Sequence, residues 1–373
     1  PSLLNDIYNK HLKEDFVAYV KANLPLVKEI ILNNKNYLAF KKKMIGFQIE
    51  ILSREDILFK NISFIEKTIN KKKSYTKQFD YRLINISNDT IITDNWKIKS
   101  DEKLIINKGV KVTLKDVYLR IEGGIEILGK ENYPVNIVSP ENGSSTIYIQ
   151  SKIPVNISHT TFSNLTNLKS PYQQPASITF YETPEINITN SNFNKNIYGD
   201  DFLNFFRCKN VNISNTNIEN TYSDALDSDF SNILINNSNF NNIGNDAIDG
   251  SGSKITIYNS NFTFAKDKAI SAGENSRFEV KDCFIKNNAI GVVSKDNSVV
   301  LSKNNQLINN RLDLAVFKKK KIYSYPTFKN ENTLINNYLI EKKSKISGLD
   351  DIVFSSNVED KLYGNLYGRA SER

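Results

Sequence analysis

Two short segments, "YSDALDSDF" from Tyr222 and "GNDAIDGSG" from Gly244, carry carboxylates in the same pattern. Asp224 and Asp246 stand 22 residues apart, and so do Asp227 and Asp249. Asp200, Asp229, Asn245 and Asp267 lie close by in sequence. Carboxylates recurring at one interval have two kinds of use. As a functional face they divide acid and base duties or hold a cation through clustered oxygens. As structural groups they accept hydrogen bonds from turn amides. Like charges about 5 Å apart repel by roughly 1 kcal/mol in water and by more in a sheltered cleft, so such a cluster needs compensation. The compensation is a counter-charge, a shared proton or a bound ion. Lys268, 22 residues after Asp246, is placed to be the counter-charge. Ca²⁺ suits clustered carboxylates, and Asp224, Asp227, Asp246 and Asp249 are its candidate ligands. Asp229, Glu274 and Lys318 are candidates for substrate contacts.

The interval belongs to a larger repeat. "VNISNTNIEN" from Val211, "ILINNSNFNN" from Ile233, "ITIYNSNFTF" from Ile255 and "FEVKDCFIKN" from Phe278 align at spacings of 22, 22 and 23 residues. A looser copy, "INITNSNFNK", starts at Ile186. Within each copy apolar and polar residues alternate, a strand signal, and the apolar sites favour Ile, Val and Phe. A unit of this length with two or three short strands and no helix predicts a mainly β fold, a right-handed parallel β-helix with about 22 residues per coil. Equivalent residues of successive coils then stack in columns about 4.8 Å apart. Asn190, Asn215, Asn237, Asn259 and Asp282 form one column, read as an asparagine ladder serving buried turn amides. Phe193, Ile218, Phe240, Phe262 and Ile285 form an inward one. In this register Cys283 takes the Ser260 position and Cys208 the Phe230 position, too far apart to be bridged. The aliphatics Leu226, Ile248 and Ile270 point inward, so Asp227, Asp249 and Ser271 face out.

The β-helix is expected over 76–340, with strand-rich sequence already evident from Asp94 and a loop at "NLTNLKSPYQQP". Residues 1–75 have helical spacing, divided by Pro25, and read as a cap over the open coil end or as the remnant of a preceding domain. Residues 341–373 read as a C-terminal tail or cap. The 373-residue chain has net charge +8 and mean hydropathy −0.42, and no run long and apolar enough to span a membrane. Lysine runs at 41–43, 71–73 and 318–321 read as solvated faces, so nucleic acid is not an expected partner. Two histidines and two cysteines lack metal-site spacing, which argues against a zinc site and a histidine-dependent triad. The chain begins at Pro1 without a basic-then-apolar leader, as a trimmed chain would, and a secreted or surface location is expected.

Over about residues 95–340 the sequence resembles the pectate-lyase-like parallel β-helix superfamily. Within it, "SDALDSDF", "NDAIDGSGS", "DKAISAGENS" and "VFKKKK" resemble a bacterial subfamily sometimes joined to CotH-type kinase-like modules; no kinase motif is present here. The pattern is also similar to polygalacturonase-type hydrolases, whose motifs would fall on Tyr222-Ser223-Asp224, Asn245-Asp246 and Asp267-Lys268-Ala269. Two positions depart from that pattern: Asn245 replaces one of its acids and Lys268 its histidine. The superfamily resemblance implies instead a lyase or epimerase acting on an acidic polysaccharide. Its base would be Lys268 or Lys295, with Asp224 and Asp246 beside it and Ca²⁺ on the acids. The alternative is a non-catalytic glycan-binding, adhesion or scaffold module.

Overall fold

A computed structural model describes residues 81–167 and 176–362. The helices expected over 1–75 and most of the loop around 168–175 lie outside the described residues. Strands follow one another in threes, and each pairs in parallel with the equivalent strand of the next coil. This builds three sheets of 12, 10 and 11 strands. The first runs from Arg82–Ile86 to Lys345–Ser347 and the third from Trp96–Ile98 to Tyr338–Ile340. The chain is therefore a parallel β-helix, as the repeat predicts, and its strands continue on both sides of the segment 95–340.

The repeat register is the pairing register. Ile186 pairs with Val211, Val211 with Ile233, Ile233 with Ile255 and Ile255 with Phe278. The column Phe193, Ile218, Phe240, Phe262 and Ile285 is continuous and buried. Phe240 and Phe262 stack with ring centroids 4.8 Å apart, as do Phe162 and Phe193 at 4.9 Å. These separations match the distance between hydrogen-bonded strands, so one spacing satisfies the backbone ladder and the aromatic contacts together.

The asparagine column forms the expected side-chain ladder, but on an exposed corner and not around buried turn amides. Asn190, Asn215, Asn237, Asn259 and Asp282 are exposed, and each has φ between 49° and 53°. The column marks the left-handed corner between the first two sheets, a conformation that asparagine and aspartate tolerate better than most residues. Backbone N–H groups at these corners bond to the next coil, as in Asn215 N to Asn236 O at 3.1 Å. The amides add exposed rungs, with Asn237 Nδ2 donating to Asn215 Oδ1 at 2.6 Å. The buried polar column is the next one along. Ser238 and Ser260 Oγ accept backbone N–H groups of Thr216 and Ser238. Cys283 sits in that column, as expected, and is buried. Cys208 corrects its expected position. Phe206 pairs with Asp229, so Cys208 is equivalent to Ser231 rather than to Phe230. Its backbone N–H donates to Ser231 Oγ at 2.8 Å. The segment from Phe206 to Val211 is one residue longer than that from Asp229 to Ile233, which moves the register by one at this corner.

The chain beyond 340 folds back on the coils. Ser355 N donates to Ile340 O at 2.7 Å, and a four-residue helix, Val358–Lys361, follows. Val358 and Leu362 pack on Ile290, Val293, Leu312, Ala315 and Phe317. A single helical turn has no stability of its own in water. Burying one Val and one Leu side chain contributes about 3–6 kcal/mol, enough to hold it.

Candidate acidic cleft on the third sheet

The predicted carboxylate columns are present on the third sheet. Asp201 pairs with Asp224, and Lys268 N donates to Asp246 Oδ1 at 2.9 Å, which fixes the column Asp201, Asp224, Asp246, Lys268. Asn204, Asp227, Asp249 and Ser271 form the second column. A third runs Phe206, Asp229, Ser251 and Gly273. Leu226, Ile248 and Ile270 are buried between them, so the strand alternation presents the acids of the second and third columns outward.

In the first column, turn capping and cleft lining share one largely buried side chain. Asp224 Oδ1 accepts the Asp246 backbone N–H at 2.9 Å and Asn245 Nδ2 at 2.6 Å. Asp246 Oδ1 likewise accepts the Lys268 N–H. Asp224 and Asp246 thus each cap the following coil with one oxygen, whereas the Asp224 N–H bonds to the Asp200 carbonyl at 2.9 Å. In the second column, Asp227 accepts Ser228 N–H at 2.8 Å and Asn204 Nδ2 at 3.0 Å, and Asp249 accepts Gly250 N–H at 3.0 Å.

These acids line a cleft of about 650 Å³ with Asp201, Asp267, Lys268 and Lys295. Lys268 Nζ lies 3.2 and 3.3 Å from the two Asp246 oxygens and 2.5 Å from Asp267 Oδ2. Lys295 Nζ approaches Asp249 Oδ1 at 3.6 Å. Gly273 makes that reach possible: a Cβ there would lie 2.8 Å from Lys295 Cε. Gly273→Ala is accordingly expected to push Lys295 off Asp249. A flexible lysine end yields readily, so the stability cost should be about 1 kcal/mol. Unfolding should show the loss persisting from pH 8 down to about pH 4 and shrinking only at lower pH, because Asp249 is held below its ordinary value and stays charged until then.

The environments pull the carboxyls apart. Burial, with Asp246 and Asp249 nearby, raises Asp224 well above the usual carboxylate range. Burial and the surrounding aspartates do the same to Asp201 and Asp227. Asp246 is pushed up by burial to about 7, with Lys268 opposing. Asp249 moves the other way: burial works to raise it, but Lys295, Lys268 and the Gly250 N–H hold it below its ordinary value.

Seven predicted residues meet in this cleft: Asp224, Asp227, Asp229, Asp246, Asp249, Lys268 and Lys295. Glu274 stands beside it, accepting Ser251 Oγ at 2.5 Å and paired with Lys320. Lys318 does not line it; its ammonium lies over the Tyr325 ring at 5.2 Å, and Lys319 lines the cleft instead. Glu359 and Asp360 of the C-terminal helix also line it, and nothing in the repeat pointed to them. Asp201 was placed in the column but its condition was not anticipated: Oδ2 is buried with no hydrogen-bond partner.

As a calcium site the cluster fits poorly. Oxygens of Asp224, Asp246 and Asp249 lie within 4.8 Å of one another, a spacing that suits a divalent ion. Ca²⁺ takes six to eight oxygens, however, and Lys268 already lies on both oxygens of Asp246. Lys295 stands beside Asp249 in the same way. Two ammonium groups therefore hold the positions an ion would need.

No family model matches the chain, and no curated protein matches it. Among solved structures it is similar to a rhamnogalacturonan lyase at 9% identity, over 69% of this chain and 82% of that one, with TM-score 0.43. It is similar to full-length tailspike protein 2 from Escherichia coli O157:H7 bacteriophage CAB120 at 8% identity, over 73% of this chain and 40% of that one, with TM-score 0.41. The third is the catalytic domain of a GH87 alpha-1,3-glucanase in complex with nigerose, at 11% identity over 74% of this chain and 69% of that one, with TM-score 0.41. At these identities each likeness is one of fold, and none supports the expected kinship with chains joined to CotH-type modules.

Proposed function

We propose that the cleft binds and cleaves a neutral polysaccharide by acid–base catalysis. The carrying observation is the pair Asp224 and Asp249, with oxygens within 4.8 Å of one another and carboxyls driven in opposite directions, one raised well above the usual range and the other held below it. Groups so divided are suited to act as acid and base on one bond. In this reading Asp224 donates a proton to the departing glycosidic oxygen through the carboxyl oxygen not used for capping. Asp249 attacks the anomeric carbon as the glycosidic C–O bond breaks, and a water then displaces it, returning its proton to Asp224 and leaving a new reducing end. Asp246, protonated below about 7, limits the charge next to Asp224.

Two earlier expectations change. The lysine base of a lyase or epimerase must reach the substrate, whereas Lys268 Nζ lies against Asp246 and Asp267 and Lys295 Nζ beside Asp249. The cleft also carries ten acids, Asp200, Asp201, Asp224, Asp227, Asp229, Asp246, Asp249, Asp267, Glu359 and Asp360, against three lysines. The three lysines stand among these acids and form no cationic face for a polyanion, so this reading takes a neutral glycan in place of the acidic one.

The test is incubation with soluble glucans, galactans and mannans, and separately with pectate and alginate. New reducing ends from a neutral polymer, without the absorbance of an unsaturated uronate, are expected. Unsaturated products from the uronate polymers would restore the lyase reading. Binding without turnover anywhere would leave a non-catalytic glycan module.

A further inference from the structure

The outer columns of the third sheet do not stay acidic. The second continues from Ser271 to Val293 and Ala315, and the third from Lys295 to Phe317. The first continues from Lys268 to Ile290 and Leu312. These outward apolar residues are nonetheless at most 2% exposed, because Val358 and Leu362 cover them. The same docking brings Glu359 and Asp360 into the cleft. Most of the acids stand on or beside three successive strands, Asp201–Phe206, Asp224–Asp229 and Ile248–Ser251, roughly 10 Å along the coil axis, and Lys268 and Lys295 on the next two. A polymer lying in that groove meets the helix where the acids end.

We propose that the Val358–Lys361 helix is the end wall of the groove and makes it a site for the end of a glycan chain, not its middle. The inference rests on the reading of the cleft as glycan-cleaving. The terminal sugar lies over the carboxylates, the remainder of the polymer extends toward the Asp201 coil, and Glu359 and Asp360 offer acceptors to its terminal hydroxyls.

The experiment compares viscosity loss with reducing-end release on whichever glucan, galactan or mannan is cleaved. The wild type should release short products while viscosity falls little. Val358→Asp/Leu362→Asp, which undocks the helix, should raise viscosity loss per bond cleaved about tenfold. Glu359→Gln/Asp360→Asn keeps the docking contacts, and should weaken oligosaccharide binding about tenfold with unchanged thermal unfolding. Rapid viscosity loss in the wild type would overturn the wall, as would an unchanged affinity in the second variant. If no polymer is cleaved, the catalytic reading fails alone, and binding to the same panel decides the wall. Sites in proportion to chain ends would support it; sites in proportion to polymer mass, or no binding, would overturn it.

Discussion

Asp249→Asn should lower turnover of a susceptible neutral glycan by about 10²–10⁴-fold, the usual worth of a positioned acid or base. The substitution is nearly isosteric, and the amide oxygen can still accept the Gly250 N–H. What disappears is the one carboxylate of the cluster held below its ordinary pKa. The loss should therefore appear in kcat, with substrate Kd changed little, and steady-state kinetics beside equilibrium binding checks this. The pH profile supplies a second reading. Activity requires Asp249 ionised and Asp224 protonated, so it should rise with pH as Asp249 loses its proton and fall at higher pH, beyond the ordinary carboxylate range, as Asp224 loses its own. Loss of the Asp246 proton near 7 adds charge beside Asp224, which raises that carboxyl further and extends its protonated form to higher pH. A variant that keeps full kcat would remove Asp249 from the chemistry. An unchanged kcat with weaker binding would make it a substrate-holding group.

The fold was legible because a β-helix converts sequence period into contact. Once Val211, Ile233 and Ile255 share a register, every residue between them has known neighbours one coil away. That is why Asp224, Asp227, Asp246 and Asp249 were placed together correctly from spacing alone. Translation fails where a corner changes length, as at Cys208, one position out because Phe206 to Val211 carries an extra residue. It also gives the position of a Cα and not the reach of a long side chain. Lys268 and Lys295 were located, but their commitment to Asp246, Asp267 and Asp249 depends on rotamers and on the space left by Gly273. The helix bearing Glu359 and Asp360 lies past the repeat. Its docking depends on an apolar patch that reads as ordinary strand sequence until the outward columns are followed to Val293, Ala315 and Phe317. The exposure of the asparagine column was likewise hidden, since alternation separates inside from outside along strands and is silent at corners.

Lys268→Met should cost about 3–5 kcal/mol of stability at pH 8, the usual consequence of removing one partner from a buried ionic cluster. Lys268 is one of the most sheltered charges of the cleft, with side-chain exposure of 5%, between Asp246 at 4% and Asp267 at 2%. Methionine fills a similar volume, so the loss is chiefly electrostatic. Its pH dependence identifies the cause. In the folded wild type the Asp246 carboxyl titrates at about 7, whereas an unfolded aspartate titrates near 3.9. The folded state therefore binds the extra proton between those values. This contribution to stability is fully present below about 4 and is lost as pH rises through 7, at up to about 1.4 kcal/mol per pH unit. Asp201, Asp224 and Asp227, all raised, act in the same sense, while Asp249, lowered, acts oppositely and loses its contribution as pH falls. Without Lys268 the largest opposition to burial at Asp246 is gone and only Lys295 remains, so the carboxyl moves higher still and the protonated form spreads further into the neutral range. Denaturant unfolding of both proteins at pH 5 and pH 8 should show a wide gap at pH 8 that narrows at pH 5. Adding Asp246→Asn to Lys268→Met should recover part of the loss at pH 8, because one of the two stranded carboxylates is then gone. A gap of equal size at both pH values, with no recovery in the double variant, would mean that Lys268 contributes by packing its stem. The carboxylates would then owe their tolerance of one another to shared protons alone.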